Sequence, residues 1–196
     1  MADLITLAQY KEAEGISSSN NDLRFNAIIP SVSQLVKTYC GTSFIDFYSS
    51  NKTETFTIDW GTHVVQLTES PLNSIVSVQE RHAYGDAYDT LTTGANEYYL
   101  ETTTDSILRT NTTGRYQSWP KGVGSVKVIY TGGYSEVPAD LKLAVLDLVT
   151  YYYKDEHKQR QSIAGASLQN QGSSSQSMNV GCPDHIKRVL DLYKNF

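Results

Sequence analysis

The stretch VIYTGGYSEVPADLKLAV, residues 128–145, changes from a strand pattern through two glycines into a helix pattern. Phosphate-binding loops have the same order of elements, because free N–H groups at a helix start bind the anion. Here Pro138 removes one of those donors, and Glu136 and Asp140 place carboxylates where the phosphate would lie. The GxGxxG order and a Lys-Ser/Thr pair are also missing. We therefore interpret the stretch as a turn that ends a strand and begins a helix.

The helix that begins there is apolar on two sides. One stripe consists of Leu141, Ala144, Val145, Leu148, Val149 and Tyr152, and the other of Leu143, Leu146, Thr150 and Tyr153. Such a helix either packs between elements of its own chain or contacts another chain. Both interpretations stay open, and we prefer contact with another chain. The candidate subunit-interface residues are Leu143, Leu146, Tyr151 and Tyr153.

Two helices are predicted upstream of the turn. Thr6 and Gln9 have the spacing of a capping box, and Gly15 supplies a left-handed stop for the first helix. The second helix follows the polar run at residues 17–22 and reaches about Tyr39. An interior proline removes a hydrogen bond and clashes with the preceding turn, so we expect a kink or break just before Pro30.

Strand patterns fill the region between these helices and the opening stretch. TFTIDW (55–60) alternates apolar and polar residues, and VKVIY (126–130) also reads as a strand. Four further strand-like segments lie between them, separated by turn-forming residues. The predicted fold class is α+β: a small helical core of four helices with an inserted antiparallel β-meander.

The end of the chain combines a linker-like segment with a short helix. Residues 162–181 are polar and rich in Gly and Ser, and Pro183 suits the first position of a helix. The predicted division is a helical core at 1–43 and 134–160, a β insertion at 44–133, a Gly/Ser-rich linker arm at 161–181 and a C-terminal docking helix at 182–196.

Composition limits the classes of function. The chain has 196 residues, a net charge of −5 and 14 tyrosines, a residue type that suits contact surfaces as well as cores. The negative charge argues against wrapping nucleic acid as the main task. The N-terminus does not resemble a signal peptide, and no apolar run approaches a membrane span, so we expect a soluble protein made in a cytoplasm.

Candidate catalytic and metal sites are weak. Asp59 and His63 are close in sequence, but no G-x-S-x-G elbow accompanies them. Cys182 and His185 form a single C-x-x-H pair, whereas structural zinc needs two pairs of ligands. We therefore expect no enzyme activity, no catalytic or metal-binding residues and no cofactor. Whether Cys182 ever pairs with Cys40 stays open.

Three segments resemble a known family, the head–tail connector or head-completion adaptor proteins of tailed bacteriophages. They are LITLAQYKEAEGISSSNND with VKTYCGTSF, the central WPKGVGSVKVIYTGGYSEVPADLKLAVLDLVTYYYKDE (119–156), and the closing GCPDHIKRVLDLYKNF. The pattern from WP-x-G-V to VP-x-D-L-K is the most specific part. Pro30 and the long 162–181 segment depart from the family pattern.

The resemblance implies a structural protein of the virion neck, assembled in the host cytoplasm. It implies a ring beneath the portal, of twelve copies by analogy with the portal, that extends the DNA channel and joins the capsid to the tail. The implied partners are other copies of the chain, the portal protein, a tail or stopper protein and genomic DNA, which passes through the lumen without sequence-specific binding; no membrane is involved.

Two sets of contact residues complete this hypothesis. We expect the C-terminal helix to dock on the portal or an adjoining subunit through Ile186, Val189, Leu190, Tyr193 and Phe196. We expect a hairpin tip to face the next tail component through Tyr84, Asp86 and Tyr88.

The alternative is a glycan- or receptor-binding β module of a virion. It is based on aromatic residues that the sequence suggests are exposed, namely Tyr84, Tyr88, Tyr98, Tyr99 and Trp119. Ordinary packing of these side chains within a sheet is the competing explanation.

Overall fold

The computed structural model describes residues 2–154 and 182–194. They belong to two compact units: a helical unit, Met1–Gly41 with Val137–Phe196, and a β unit, Thr42–Glu136. The structure thus divides the chain at 41/42 and 136/137, where the sequence predicts 43/44 and 133/134. The predicted linker arm at 161–181 lies outside the described residues.

The described part of the helical unit contains four helices. They are α1 (Leu7–Ala13), α2 (Asp22–Cys40), α3 (Ala139–Tyr153) and α4 (Asp184–Leu192). With the antiparallel sheets of the β unit, they confirm the predicted α+β class. α3 buries five of the six residues of its first apolar stripe, Leu141, Ala144, Val145, Leu148 and Val149, whereas Tyr152 is half-buried. Pro183 precedes the first residue of α4 instead of occupying it.

Both ends of α1 follow their local signals. The Thr6 hydroxyl accepts a hydrogen bond from the Gln9 backbone at 3.2 Å, and the Gln9 side chain accepts one from the Thr6 backbone at 2.9 Å. At the other end, Gly15 has φ +65°, and the Ile16 N–H donates to the Lys11 carbonyl at 2.8 Å. The predicted capping box and left-handed stop are confirmed.

Helix α2 does not break at Pro30. It continues from Asp22 to Cys40, with Pro30 in its interior and exposed to solvent. The neighbours Ile29, Val32 and Val36 are buried in the helical unit. Their burial favours the helical geometry by about 1.5–3 kcal/mol for each side chain, which together exceeds the cost of about 3 kcal/mol for the proline.

The described strands of the β unit form two antiparallel sheets. They are β1 (Lys52–Ile58), β2 (Val64–Gln66), β3 (Leu72–Glu80), β4 (Asp89–Leu91), β5 (Tyr98–Glu101), β6 (Ser106–Arg109) and β7 (Gly122–Gly132). One sheet has the order β1-β7-β3-β4 and the other β2-β6-β5. All the strand pairs are antiparallel, as predicted.

The strand order differs from a simple meander because β7 lies between β1 and β3. β7 is therefore an inner strand of its sheet, and its residues Val126, Val128 and Tyr130 are completely buried. The core of the unit consists of Ile58, Val65, Leu67, Val78, Leu91, Ile107, Trp119, Val126, Val128 and Tyr130. An apolar last strand is better covered in the middle of a sheet than at its edge.

Candidate functional site

Within 2–154 and 182–194, no group of three or more His, Cys, Asp or Glu side chains is arranged to hold a metal ion. Asp59 and His63 are both exposed, and the His63 ring packs against Tyr116 at 4.9 Å between centroids. None of the described helices is long and apolar enough to cross a membrane.

The four residues predicted at a subunit interface on α3 have different environments. Leu143 is 60% exposed, and Leu146 and Tyr151 are half-buried. Tyr153 contributes to an aromatic cluster within the helical unit, since its ring lies 4.6 Å from that of Phe25. Leu143 is therefore the most accessible of the four. Their role at an interface stays a prediction.

A second apolar surface runs along the outer side of α2. We name it the α2 groove: it has a volume of about 260 Å³ and is lined by Ala27, Ile28, Ser31, Val32, Leu35 and Tyr152. A further shallow cavity of about 610 Å³ continues from Ser31 and Leu35 towards Tyr39. Sequence reasoning missed this groove, although Ile28, Leu35 and Tyr39 follow helical spacing.

Helix α4 packs within the helical unit. Ile186 and Leu190, two of the residues predicted to dock on the portal, are 1% exposed, so in this structure they are core residues. Burial in the apolar core raises the pKa of the neighbouring Cys40 thiol to about 12, and that thiol donates to the Leu190 carbonyl. Val189 is half-buried, and the adjacent Leu192, which sequence reasoning missed, is 78% exposed.

A hydrogen bond joins α4 to the start of α3. The Tyr193 hydroxyl donates to the Asp140 carboxylate at 2.6 Å, and this hydrogen bond lowers the pKa of Asp140. The Tyr193 hydroxyl, predicted to contact the portal, thus already has a hydrogen-bond partner in its own chain. Phe196 lies outside the described residues. Leu143 lies one turn beyond Asp140 on the same side of α3, so an exposed apolar side chain stands close to this junction.

The hairpin tip predicted to face the tail is held by Arg81, a residue that sequence reasoning missed. Its guanidinium lies over the rings of Tyr84, at 4.9 Å, and Tyr88, at 4.7 Å. It also donates to the Tyr84 carbonyl at 2.8 Å and to the Gly124 carbonyl at 3.0 Å. Asp86 accepts from the Ala83 backbone at 3.0 Å and closes the turn. The tip therefore has a defined conformation.

The aromatic residues behind the alternative hypothesis are not all exposed. Trp119 is 1% exposed and belongs to the core of the β unit, so its use as a surface residue is corrected. Its backbone N–H donates to the Thr62 carbonyl at 2.9 Å. Tyr84 and Tyr99 are exposed, as that hypothesis expects, whereas Tyr88 and Tyr98 are half-buried. Trp60 and Tyr116 are further exposed aromatic residues.

A family model described as head completion protein matches residues 3–196. The chain belongs to the head completion protein family. The head completion protein of Escherichia phage T5 is 33% identical over 72 residues, which span 36% of this chain and 39% of the T5 protein. The predicted family is confirmed.

Solved structures with similar folds come from gene transfer agent (GTA) particles. A chain from the neck of the empty particle, computed with C6 symmetry, has a TM-score of 0.59 at 12% identity and covers 98% of this chain and 90% of that chain. A chain from the neck of the native particle, computed with C12 symmetry, has a TM-score of 0.58 at 12% identity and covers 100% and 94%. These likenesses concern the fold.

In this head completion protein, the most specific segment of the family resemblance has a structural role. Trp119 of its WP-x-G-V part fills the core of the β unit, and Asp140 of its VP-x-D-L-K part binds Tyr193 of the closing segment. The motif residues thus hold the fold together. Trp119 and Asp140 are therefore occupied within the fold, and contacts with partners must use other, exposed residues.

Proposed function

We propose that this chain is a structural protein of the virion neck, a head-to-tail adaptor that forms a ring beneath the portal, extends the DNA channel and joins the capsid to the tail. The observation that carries the proposal is the family match over residues 3–196. The role is mechanical rather than catalytic. Assembly takes place in the host cytoplasm.

The helical unit supplies the lateral contacts of the ring. A ring needs two different, complementary surfaces on each subunit. Leu143 and Tyr152 are nine residues apart on α3, and at 100° per residue they point to opposite sides of the helix. Tyr152 lines the α2 groove and Leu143 is exposed, which suits insertion of one subunit's Leu143 side into its neighbour's groove. The similar GTA necks, computed with C6 and C12 symmetry, support a ring, and twelve copies remains the number proposed by analogy with the portal.

The portal contact uses the outer surface of α4. Ile186 and Leu190 are buried in their own chain, so the exposed Leu192 and the half-buried Val189 are better placed to meet the portal. Phe196 keeps the docking role that the sequence predicts for it. Because α4 contributes core residues, point variants test this contact more cleanly than deletion of 183–196 does.

The β unit carries the surface for the tail or stopper protein, through the tip at Tyr84, Asp86 and Tyr88. Genomic DNA passes through the lumen without sequence-specific binding. The chain's net charge of −5 suits this passage, since a weakly repulsive channel lets the duplex slide.

Negative-stain images of the purified protein, alone and mixed with portal, test the proposal. We expect rings on the portal for the wild type. Leu143→Arg places a charge in the lateral contact and should prevent ring formation, whereas Leu23→Arg, at a still more exposed leucine on α2, should not. A wild-type protein that never joins portal refutes the adaptor role. Equal behaviour of the two variants refutes the interface at Leu143.

Binding of a glycan or receptor remains the second candidate, favoured by the exposed rings of Trp60 and Tyr84. A glycan-array signal from a protein that is monomeric in light scattering would support it. Ring formation on the portal without any glycan signal would count against it.

A further inference from the structure

Helix α4 runs antiparallel to α3 within the helical unit. The Tyr193 hydroxyl, just after α4, donates to Asp140 at the start of α3 at 2.6 Å. At the other end of α3, burial raises the pKa of the Tyr152 hydroxyl, and the charge of the nearby Cys182 thiolate raises it further. The two ends of the connection between the helices, Lys154 and Cys182, therefore lie at the same end of α3.

The connection is far longer than this arrangement needs. It comprises the 30 residues at 154–183, between Tyr153 of α3 and Asp184 of α4. Antiparallel helices whose ends lie side by side are ordinarily joined by about 2–8 residues. The sequence at 162–181 also has few large apolar side chains with which to bind a partner, namely Ile163, Leu168, Met178 and Val180. The extra length itself therefore needs a physical explanation.

The surface that receives α4 has an apolar centre. We name it the α4 seat: it is formed by Tyr39 and Cys40 at the end of α2 and by Asp140 at the start of α3. α4 packs against both helices and buries Ile186 and Leu190 there, while Cys40 is completely buried. Without α4 this apolar surface would be open to water, which is unfavourable. The seat therefore has to be filled in every copy of the chain.

Polar contacts at the edge of the α4 seat make its occupant specific. The Tyr39 hydroxyl donates to the Asp191 carboxylate at 2.5 Å, and the Lys194 ammonium lies 5.3 Å from the centroid of the Tyr39 ring. The Cys40 thiol donates to the Leu190 carbonyl at 3.5 Å. α4 has nine residues, too few for a stable helix in water alone, so it depends on these contacts. A second copy of the chain supplies the same residues and fits the seat equally well.

We infer that in the assembled ring each α4 occupies the α4 seat of the neighbouring copy, whereas in the single chain it occupies its own. The inference rests on the proposed function, and it identifies a second lateral contact besides the one at Leu143. Exchange of an identical element keeps the same buried side chains and hydrogen bonds, so no contact of α4 is lost. It adds a link from every subunit to the next.

The connection is long enough for this exchange. Neighbouring copies of a folded chain of 196 residues have their centres about 40 Å apart. Thirty residues can span at most about 100 Å, so the connection reaches the neighbouring seat without being fully extended. A ring also holds that seat at a fixed, short distance, which gives α4 a high effective concentration at the neighbour. A monomer in dilute solution has no such neighbour, so its α4 stays on its own chain.

Cysteine cross-linking tests which copy fills the seat. The variant Asp140→Cys/Tyr193→Cys, in a Cys182→Ser background, places two thiols across the edge of the seat for a short bis-maleimide. Cys40 should not react, because burial raises the pKa of its thiol to about 12. The monomer should give cross-links within one chain. Rings on the portal should contain at least about tenfold more covalent multimers than the monomer does, and rings with only internal cross-links overturn the inference.

The two single variants are the controls. Asp140→Cys alone and Tyr193→Cys alone, in the same background, should give no multimers in the ring. Multimers from either single variant, in the amount that the double variant gives, would arise without a contact between positions 140 and 193. That result would also overturn the inference.

Shortening the connection is an independent test. Deletion of residues 158–181 leaves six connecting residues, which can span at most about 20 Å. This length lets α4 fill its own seat but not the seat of a neighbour. The shortened monomer should therefore keep the wild-type melting temperature, while ring formation on the portal should fall by at least about tenfold. Rings at the wild-type level contradict the exchange.

A chain of unchanged length is the matched control for the deletion. Scrambling the sequence of residues 158–181 keeps both the composition and the length of the connection, so the scrambled chain should form rings like the wild type. If it loses rings as the shortened chain does, the sequence of this segment makes the contact and the exchange is wrong.

The proposed function and this inference fail in different ways. If the wild-type chain does not form rings on the portal, the adaptor role is wrong. If the wild-type and shortened chains form rings equally well, and the cross-links stay within single chains, the adaptor role stands and only the exchange of α4 is wrong.

Discussion

Replacing Arg109 by methionine should destabilise the β unit strongly, because this residue joins its two sheets. Arg109 on β6 donates through Nε and Nη2 to the two carboxylate oxygens of Glu80 on β3, at 2.9 and 2.8 Å. Its Nη1 donates to the carbonyls of Glu97 and Thr110, at 2.6 Å each. Both side chains of the ion pair are more than nine-tenths buried, so water cannot replace these contacts.

The magnitude follows from what the substitution leaves behind. Arg109→Met leaves the Glu80 carboxylate buried without its cation, which costs about 3–5 kcal/mol. With a urea dependence of about 2 kcal/mol per molar, the unfolding midpoint should fall by about 2 M. The double variant Arg109→Met/Glu80→Leu removes the buried charge as well. It should recover most of the loss, short of about 1–2 kcal/mol for the carbonyls that lose their donor.

Urea unfolding followed by circular dichroism measures these differences. Lys11→Met is the control, because the Lys11–Asp22 pair is partly exposed at 2.9 Å and should be worth less than about 1 kcal/mol. The reasoning is refuted if Arg109→Met costs no more than Lys11→Met. It is also refuted if the double variant is no more stable than Arg109→Met, because the uncompensated carboxylate would then not be the cause.

Three further predictions concern stability. Gly133→Ala should lower the free energy of unfolding by about 3 kcal/mol or more, because its φ is +96° and a Cβ would lie 2.1 Å from the Phe44 carbonyl oxygen. The control Gly114→Ala, at φ +77° in open space, should lower it by only about 1–2 kcal/mol. Equal urea midpoints for the two variants would contradict the steric cause. Burial raises the pKa of the Cys40 thiol from its usual 9.0 to about 12, so above pH 9 the unfolded chain loses this proton while the folded chain keeps it. The free energy of unfolding should therefore fall by about 1.4 kcal/mol per pH unit above pH 9. In urea titrations from pH 8 to 10.5, Cys40→Ala should show a correspondingly shallower fall. Thr6→Ala removes the N-cap of α1 and should cost about 1 kcal/mol, and an unchanged midpoint would mean that the capping box adds nothing.

Features encoded by neighbouring residues could be predicted from the sequence. The capping box of Thr6 and Gln9, the stop at Gly15 and the α3 stripe from Leu141 each depend on residues a few positions apart. The alternation of residues 55–60 likewise predicted a strand, which the structure places at Lys52–Ile58. Local chemistry determines these features, so one sequence is enough to find them.

Features determined by distant contacts could not be predicted. Pro30 signals a break, but the burial of side chains on either side of it keeps α2 helical. The sequence suggests that Trp119 is exposed, but in the structure it is buried in the core of the β unit. The role of Arg81 in holding the hairpin tip could not be predicted. Arg81 contacts Tyr88, which is near it in sequence, but it also binds the carbonyl of Gly124, which is distant in sequence. Each outcome depends on pairings across the chain that periodicity does not encode.

The insertion of the β unit between α2 and α3 requires that the segments entering and leaving it lie side by side. The structure meets this requirement with its own contacts: the Tyr134 N–H donates to the Phe44 carbonyl at 2.7 Å, and the Thr42 hydroxyl donates to the buried Glu69 carboxylate at 2.8 Å. Gly133 allows the two backbones to approach this closely. Because these contacts close the β unit on itself, we expect variants at Tyr84 and Tyr88 of the hairpin tip to affect tail joining, while ring formation, which we propose depends on α2 and α3, continues.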